Sequence, residues 1–303
     1  MPRFIVNRAL RVTIPYDGDL TTMLRTRNPA FRQPVFQAPA QGVTQYQDIE
    51  GATTKAPPGV MTVQGAVNKS SLLILICAGF ALIGWKLAMP IDSAGVQITP
   101  KVPPMVLLFG GLITGAIFGF ATFLKPAWAR VTAPLYAVSE GIFLGAISAW
   151  VALALGQRGE GGELLPYTGV VINAAMLTMG VLASMLIAYK TRLIRATEKF
   201  KTGVMAATGA IMLVYFVNIM LSLFGASIPF LHSAGPIGIG ISLFVIVIAA
   251  MNLVLDFDYI ENAARNHAPQ VYEWVAGAAL LATLVWLYIE ILRLLAILAS
   301  RRD

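Results

Sequence analysis

Four acidic residues stand where the surrounding sequence is apolar: Glu140 in LYAVSEGIFLGAI, Asp256 and Asp258 in NLVLDFDYIE, and Glu290 in TLVWLYIEILRLLAIL. A carboxylate in such a run can hold a proton, offer oxygen to a hard cation such as Ca²⁺, or pair with a cationic side chain. An ionised aspartate at the centre of a spanning helix costs roughly 2.5–3.5 kcal/mol by insertion scales, so each acid needs a partner or a water path. Glu140 lies about ten residues into its apolar block, near the bilayer centre at about 1.5 Å per residue. Asp256 and Asp258 are about 200° apart on a helix, so at most one faces the interior comfortably. Asp256 directly continues the apolar run and is the favoured one, although a solvated helix end would account for both. Glu290 has Arg293 three residues on. At that spacing the two form a structural ion pair, or else they mark a polar, central helix beside a wet cavity.

The elements that must hold these acids follow from composition. Of 303 residues, 57% are apolar and 12% charged, about half the charged share of an ordinary soluble domain. The apolar residues come in uninterrupted blocks, the pattern of helices dissolved in lipid. Seven blocks can cross a hydrocarbon layer of about 30 Å: Ser70–Met89, Pro104–Leu124, Val131–Leu155, Tyr167–Ala188, Gly203–Phe224, Ile237–Leu255 and Trp274–Leu298. The sequence predicts an all-α polytopic membrane domain over residues 70–303. Residues 1–69 are rich in Pro, Gln, Thr and Arg and are expected to be a disordered, basic cytoplasmic tail. They hold no apolar core followed by a small-residue cleavage site, so no cleavable signal is expected. The segment MLRTRNPAFRQ, starting at Met23, looks like a natural start, which would make the first 22 residues an extension.

Orientation follows from the cations. Sixteen Lys and Arg fall on one side of the spans: eight in the tail, then Lys125, Arg130, five between Lys190 and Lys201, and Arg265. The other side has Lys101, Arg158, Arg301 and Arg302, and Lys86 can snorkel to it. Cations mark the cytoplasmic side, so the N-terminus is expected inside and the C-terminus outside. The net charge of +7 is thereby a matter of topology; a nucleic-acid surface would need a solvated basic face instead. Gly111, Gly115 and Gly119, and then Gly141 and Gly145, repeat at every fourth residue. That spacing lets backbones approach closely, although glycine is also simply common in membrane helices.

Several enzyme classes fail on residue type. The single Cys77 allows no intrachain disulfide and no thiolate cluster, and is read as a buried apolar thiol. His232 and His267 fall in loops without a second histidine at ligand spacing, so both are read as solvated and no metal site is expected. A retinal protein needs an amine in its last helix, which here offers Glu290 and Arg293. An intramembrane aspartyl protease needs a GxGD turn that LDFD lacks, and a rhomboid-like protease needs an intramembrane histidine. There is no P-loop and no dinucleotide fingerprint. Catalysis is not expected, which leaves conduction or interaction.

NPAFRQ in the tail, LYAVSEGIFLGAIS, LVLDFDYIE and LVWLYIEILRLL together resemble the Bax-inhibitor-1/YccA family of membrane proteins, in its bacterial branch with a tail. The resemblance implies seven helices with the last one central, in the bacterial inner membrane and without a cofactor. For some members it implies a pH-sensitive calcium leak controlled by aspartates on the sixth and seventh helices, and for others regulation of a membrane protease. The D-x-x-x-I pattern matches Asp256 to Ile260, so Asp256 takes the sensor position, and Glu140 matches the acid before glycine in the third helix. Trp286 stands at the partner aspartate's place, with Glu290 one turn further along that face, a displacement of about 6 Å. The expected mechanism has carboxylates meeting in a low-dielectric interior, where they resist joint ionisation and a proton competes with a cation. One or two carboxylates make at most a weak Ca²⁺ site. The competing expectation is a non-conducting regulator whose tail binds a membrane protease or another integral partner. A proton-coupled transporter has no internal repeat behind it.

Overall fold

The computed structural model describes residues 59–89, 102–158, 164–224 and 235–300. The tail up to residue 58, Met23, His232, Lys101 and the terminal arginines lie outside these residues. The described chain forms seven α-helices: α1 Val63–Ala88, α2 Pro104–Leu124, α3 Ala129–Ala154, α4 Thr168–Lys190, α5 Glu198–Leu223, α6 Pro236–Arg265 and α7 Tyr272–Ala299. All seven are long and apolar enough to cross a membrane. A tight turn, Pro126–Trp128, leads into α3, and a two-residue antiparallel pair, β1 Gln157–Arg158 with β2 Leu164–Leu165, follows it.

Side-chain size is distributed as lipid requires. The interior is built largely of small residues such as Ala133, Ala137, Ala146, Ala149 and Ala152 on α3, while Leu75, Ile117, Phe120, Phe216 and Phe244 point outward. A soluble protein hides its large apolar side chains, whereas a membrane bundle packs small residues between helices and leaves the large ones to hydrocarbon. The glycine repeats act in this way. Gly111, Gly115 and Gly119 of α2 meet Phe143, Glu140 and Tyr136 of α3, and Gly141 and Gly145 of α3 lie against the α1 backbone at Cys77 and Ala81. The seams α1–α3 and α2–α3 are accordingly the most extensive in the bundle.

Helix α7 is central: it packs on α1, α2, α3, α4 and α6, and the Tyr215 hydroxyl of α5 reaches its Glu290 at 2.6 Å. Helix α5 lies at the edge, packed mainly on α6.

Three helices run further than hydropathy indicates. Helix α6 continues ten residues past Leu255 to Arg265, because the polar residues of DFDYIENAAR find partners on neighbouring helices. Asp258 pairs with Lys201 of α5 at 2.8 Å, and Glu261 accepts from the Tyr189 hydroxyl of α4 at 2.5 Å. Helix α1 starts at Val63, seven residues before the expected boundary, where the Thr62 side chain caps it by accepting from the Gly65 N–H at 2.8 Å. Helix α5 likewise starts early, at Glu198, capped by Thr197. Hydropathy reports where a helix leaves hydrocarbon; hydrogen bonding carries it on beyond that point.

Candidate functional site

Asp256 lies nine residues before the end of α6, about 13 Å inside the helix, so it is not a solvated helix terminus. It is half-buried. Across the α6–α7 seam it meets the Thr283 hydroxyl, which itself bonds back to the Ala279 carbonyl at 3.3 Å. Its Oδ2 is buried without a hydrogen-bond partner, as is Trp286 Nε1 one turn along the same face of α7 and Ser242 Oγ on α6. None of the ion pairs among the described residues involves Asp256.

Glu290 has the opposite character. Its side chain is 4% exposed, with Arg293 Nη2 at 2.8 Å, Arg293 Nε at 3.1 Å and the Tyr215 hydroxyl at 2.6 Å. The Arg293 guanidinium also lies over the Tyr215 ring, 5.7 Å from its centroid. A carboxylate with this many donors is neutralised where it stands.

Glu140 sits near the middle of α3, half-buried, facing α2 where Gly115 leaves room for it: a Cβ there would lie 3.0 Å from Glu140 Oε1. The Tyr136 hydroxyl, one turn earlier, is its polar neighbour. The missing side chain at Gly115 therefore holds space for an acid as well as for a helix seam.

The expected meeting of carboxylates does not occur. Tyr136, beside Glu140, packs with Leu281 and Val285 of α7, whereas Asp256 meets Thr283, about 200° around the helix from each of them. Glu140 thus lies in the α2–α3 seam and Asp256 in the α6–α7 seam. Glu290 is seven residues beyond Thr283, two turns or about 10.5 Å along the axis. The polar α7 neighbour of Asp256 is Thr283; Trp286, one turn on, packs with Ile211, Val245 and Ile248 of α5 and α6 and with the cluster that includes Leu253 and Leu287. Asp258 turns away to Lys201 and accepts from Asn262 at 2.8 Å. His267 is exposed and Cys77 is buried. No group of three metal-ligating side chains comes together among the described residues.

One buried acid escaped the sequence reading. Glu273, in the first turn of α7, is 1% exposed. It pairs with Lys69 of α1 at 2.7 Å and accepts from the Thr62 N–H at 3.0 Å and the Thr62 hydroxyl at 3.2 Å. Gly65 makes this possible, since a Cβ there would coincide with the carboxylate. Beside it, Met61 donates to the Ala268 carbonyl at 2.7 Å and Gln270 to the Gly59 carbonyl at 2.9 Å. The segment leading into α1 is thus fastened to the α6–α7 turn. An acid opening a helix is ordinarily read as a solvated partner of the helix dipole, and nothing local in YEWVAG indicates otherwise.

Six helices gathered about a central seventh, with acids embedded between them, define a polytopic helical membrane protein. The family described as Bax inhibitor 1 like matches residues 28–300, and the chain belongs to it. A comparison with curated proteins finds no match.

Proposed function

We propose that the protein is a pH-sensitive cation leak of a bacterial inner membrane, with Asp256 as the group on which proton and cation compete. One observation supports this above the rest: a carboxylate about 13 Å inside α6 whose Oδ2 is buried and has no hydrogen-bond partner. Such a group is costly unless a proton, water or cation serves it. Of the interior acids, Glu290 is already neutralised by Arg293 and Tyr215, which makes it a structural pair in this reading. Hard cations such as Ca²⁺ suit a carboxylate, and a single one binds weakly enough to release its ion. The orientation proposed places the tail in the cytoplasm, by the cation count.

The test is calcium efflux from loaded liposomes carrying the purified protein. Wild-type flux should exceed that of empty liposomes and fall on acidification, because the protonated acid no longer offers an anionic oxygen. Flux equal to that of empty liposomes overturns the reading.

The second reading, a regulator acting through its tail on a membrane protease or another integral partner, is favoured by the fastening of residues 59–62 to the α6–α7 turn. That attachment gives a partner on the tail a mechanical route to the two helices that hold Asp256. Deleting the tail up to residue 54 should abolish a partner effect while leaving flux intact.

A further inference from the structure

The walls of one large groove come from α1, between Ile74 and Trp85, and from α4, between Thr168 and Met179; its floor is α3 and α7. It encloses about 800 Å³, within the 300–1,000 Å³ range of ligand sites. The groove exists because α1 and α4 are not packed against each other and because Ala78, Gly79 and Ala175 at its rim are small. Three of its hydroxyls are engaged within the protein: Ser148 Oγ and the Tyr288 hydroxyl bond each other at 2.7 Å, and Thr178 donates to the Ala174 carbonyl at 2.8 Å. Water would find almost no partners there, and apolar cavities of this kind stay dry.

We infer that this groove takes an acyl chain of a membrane phospholipid, from the leaflet at the end of the bundle where α1 finishes. Length and depth both point to one leaflet. From Ile74 to Trp85 the wall rises about 16 Å, against about 15 Å for half the hydrocarbon thickness. Trp85 is three residues from the end of α1, and Thr168 is the first residue of α4. The groove therefore opens at the headgroup level and closes near mid-bilayer. Its rim merges with the outward-pointing Leu75, Leu82, Ile172 and Met179, which face hydrocarbon in any spanning arrangement. The chain runs down between α1 and α4 until it touches Tyr288 and Leu284 on the central helix.

The experiment uses the full chain in vesicles of phosphatidylethanolamine and phosphatidylglycerol doped with a phospholipid carrying a diazirine along its acyl chain. Peptide mapping after illumination should find α1 residues 75–85 and α4 residues 172–179 labelled several-fold above the outer faces of α2 and α5. Gly79→Trp projects an indole into the groove from a position where a Cβ meets nothing within 4 Å. It should remove most groove labelling and leave outer-face labelling unchanged. If Gly79→Trp melts early in detergent, Ala175→Leu serves as the second blocking variant, and excess unlabelled phospholipid should compete the wild-type signal away. Uniform labelling of all lipid-facing helices, labelling that both blocking variants leave intact, or cross-links from this groove to a second copy of the chain would each overturn the proposal.

Discussion

Asp256 and Glu290 are both acids in apolar helices, yet their surroundings give them different work. The orphaned Oδ2 of Asp256 makes Asp256→Asn the substitution that reports on flux. Leak should fall about tenfold or more, a factor of ten for each ~1.4 kcal/mol of site affinity lost, and the residual flux should no longer respond to pH. Thr283→Val, which removes the Thr283 hydroxyl beside it, should shift the pH dependence while retaining flux. For Glu290 the readout is stability. Removing one member of a buried pair leaves the other uncompensated, at a cost of about 3–5 kcal/mol in soluble proteins, whereas replacing both with apolar residues is often neutral. Glu290→Leu alone should lower the thermal midpoint in detergent, and Glu290→Leu with Arg293→Leu should recover most of it. A double variant no more stable than the single one would show that the pair is not the chief reason for the acid.

Among the elements, the seams depend on glycines that admit either a backbone or a carboxylate. Gly145→Leu would drive a side chain into the Ala81 and Trp85 backbone of α1. Overpacking of this kind costs about 1–3 kcal/mol, measurable as a lower midpoint. Gly65→Ala should act on a different element: it would expel Glu273 from beneath α1 and free the segment at residues 59–62 from the α6–α7 turn. The expected readout is faster proteolysis ahead of α1, and Glu273→Gln should give a weaker form of the same effect. Unchanged proteolysis would show that the backbone bonds of Met61 and Gln270 suffice alone.

Across the whole molecule, the orientation proposed from the cations can be read with one introduced thiol. Cys77 is buried and supplies little background, while Leu193 in the basic loop is 82% exposed. Leu193→Cys should react with a membrane-impermeant maleimide only after cells are opened. Labelling of intact cells would reverse the topology.

The sequence by itself determined the seven spans and the family, because the hydrocarbon thickness and the need to satisfy every backbone group inside it leave helices of a set length as the available solution. It also carried the Glu290–Arg293 pair, since three residues along a helix is a local distance. What it could not carry was which acids share a face of α7 or which helix a buried side chain addresses. Thr283 beside Asp256, and Lys69 beneath Glu273, are consequences of how helices rotate and slide against one another, fixed by seams such as Gly141 and Gly145 on α1. Periodicity within a segment says nothing of that register. Of the four acids conspicuous in the apolar sequence, only the tertiary structure separated Asp256, half-buried with its Oδ2 buried and without a hydrogen-bond partner, from Glu290 and Asp258, which already hold partners.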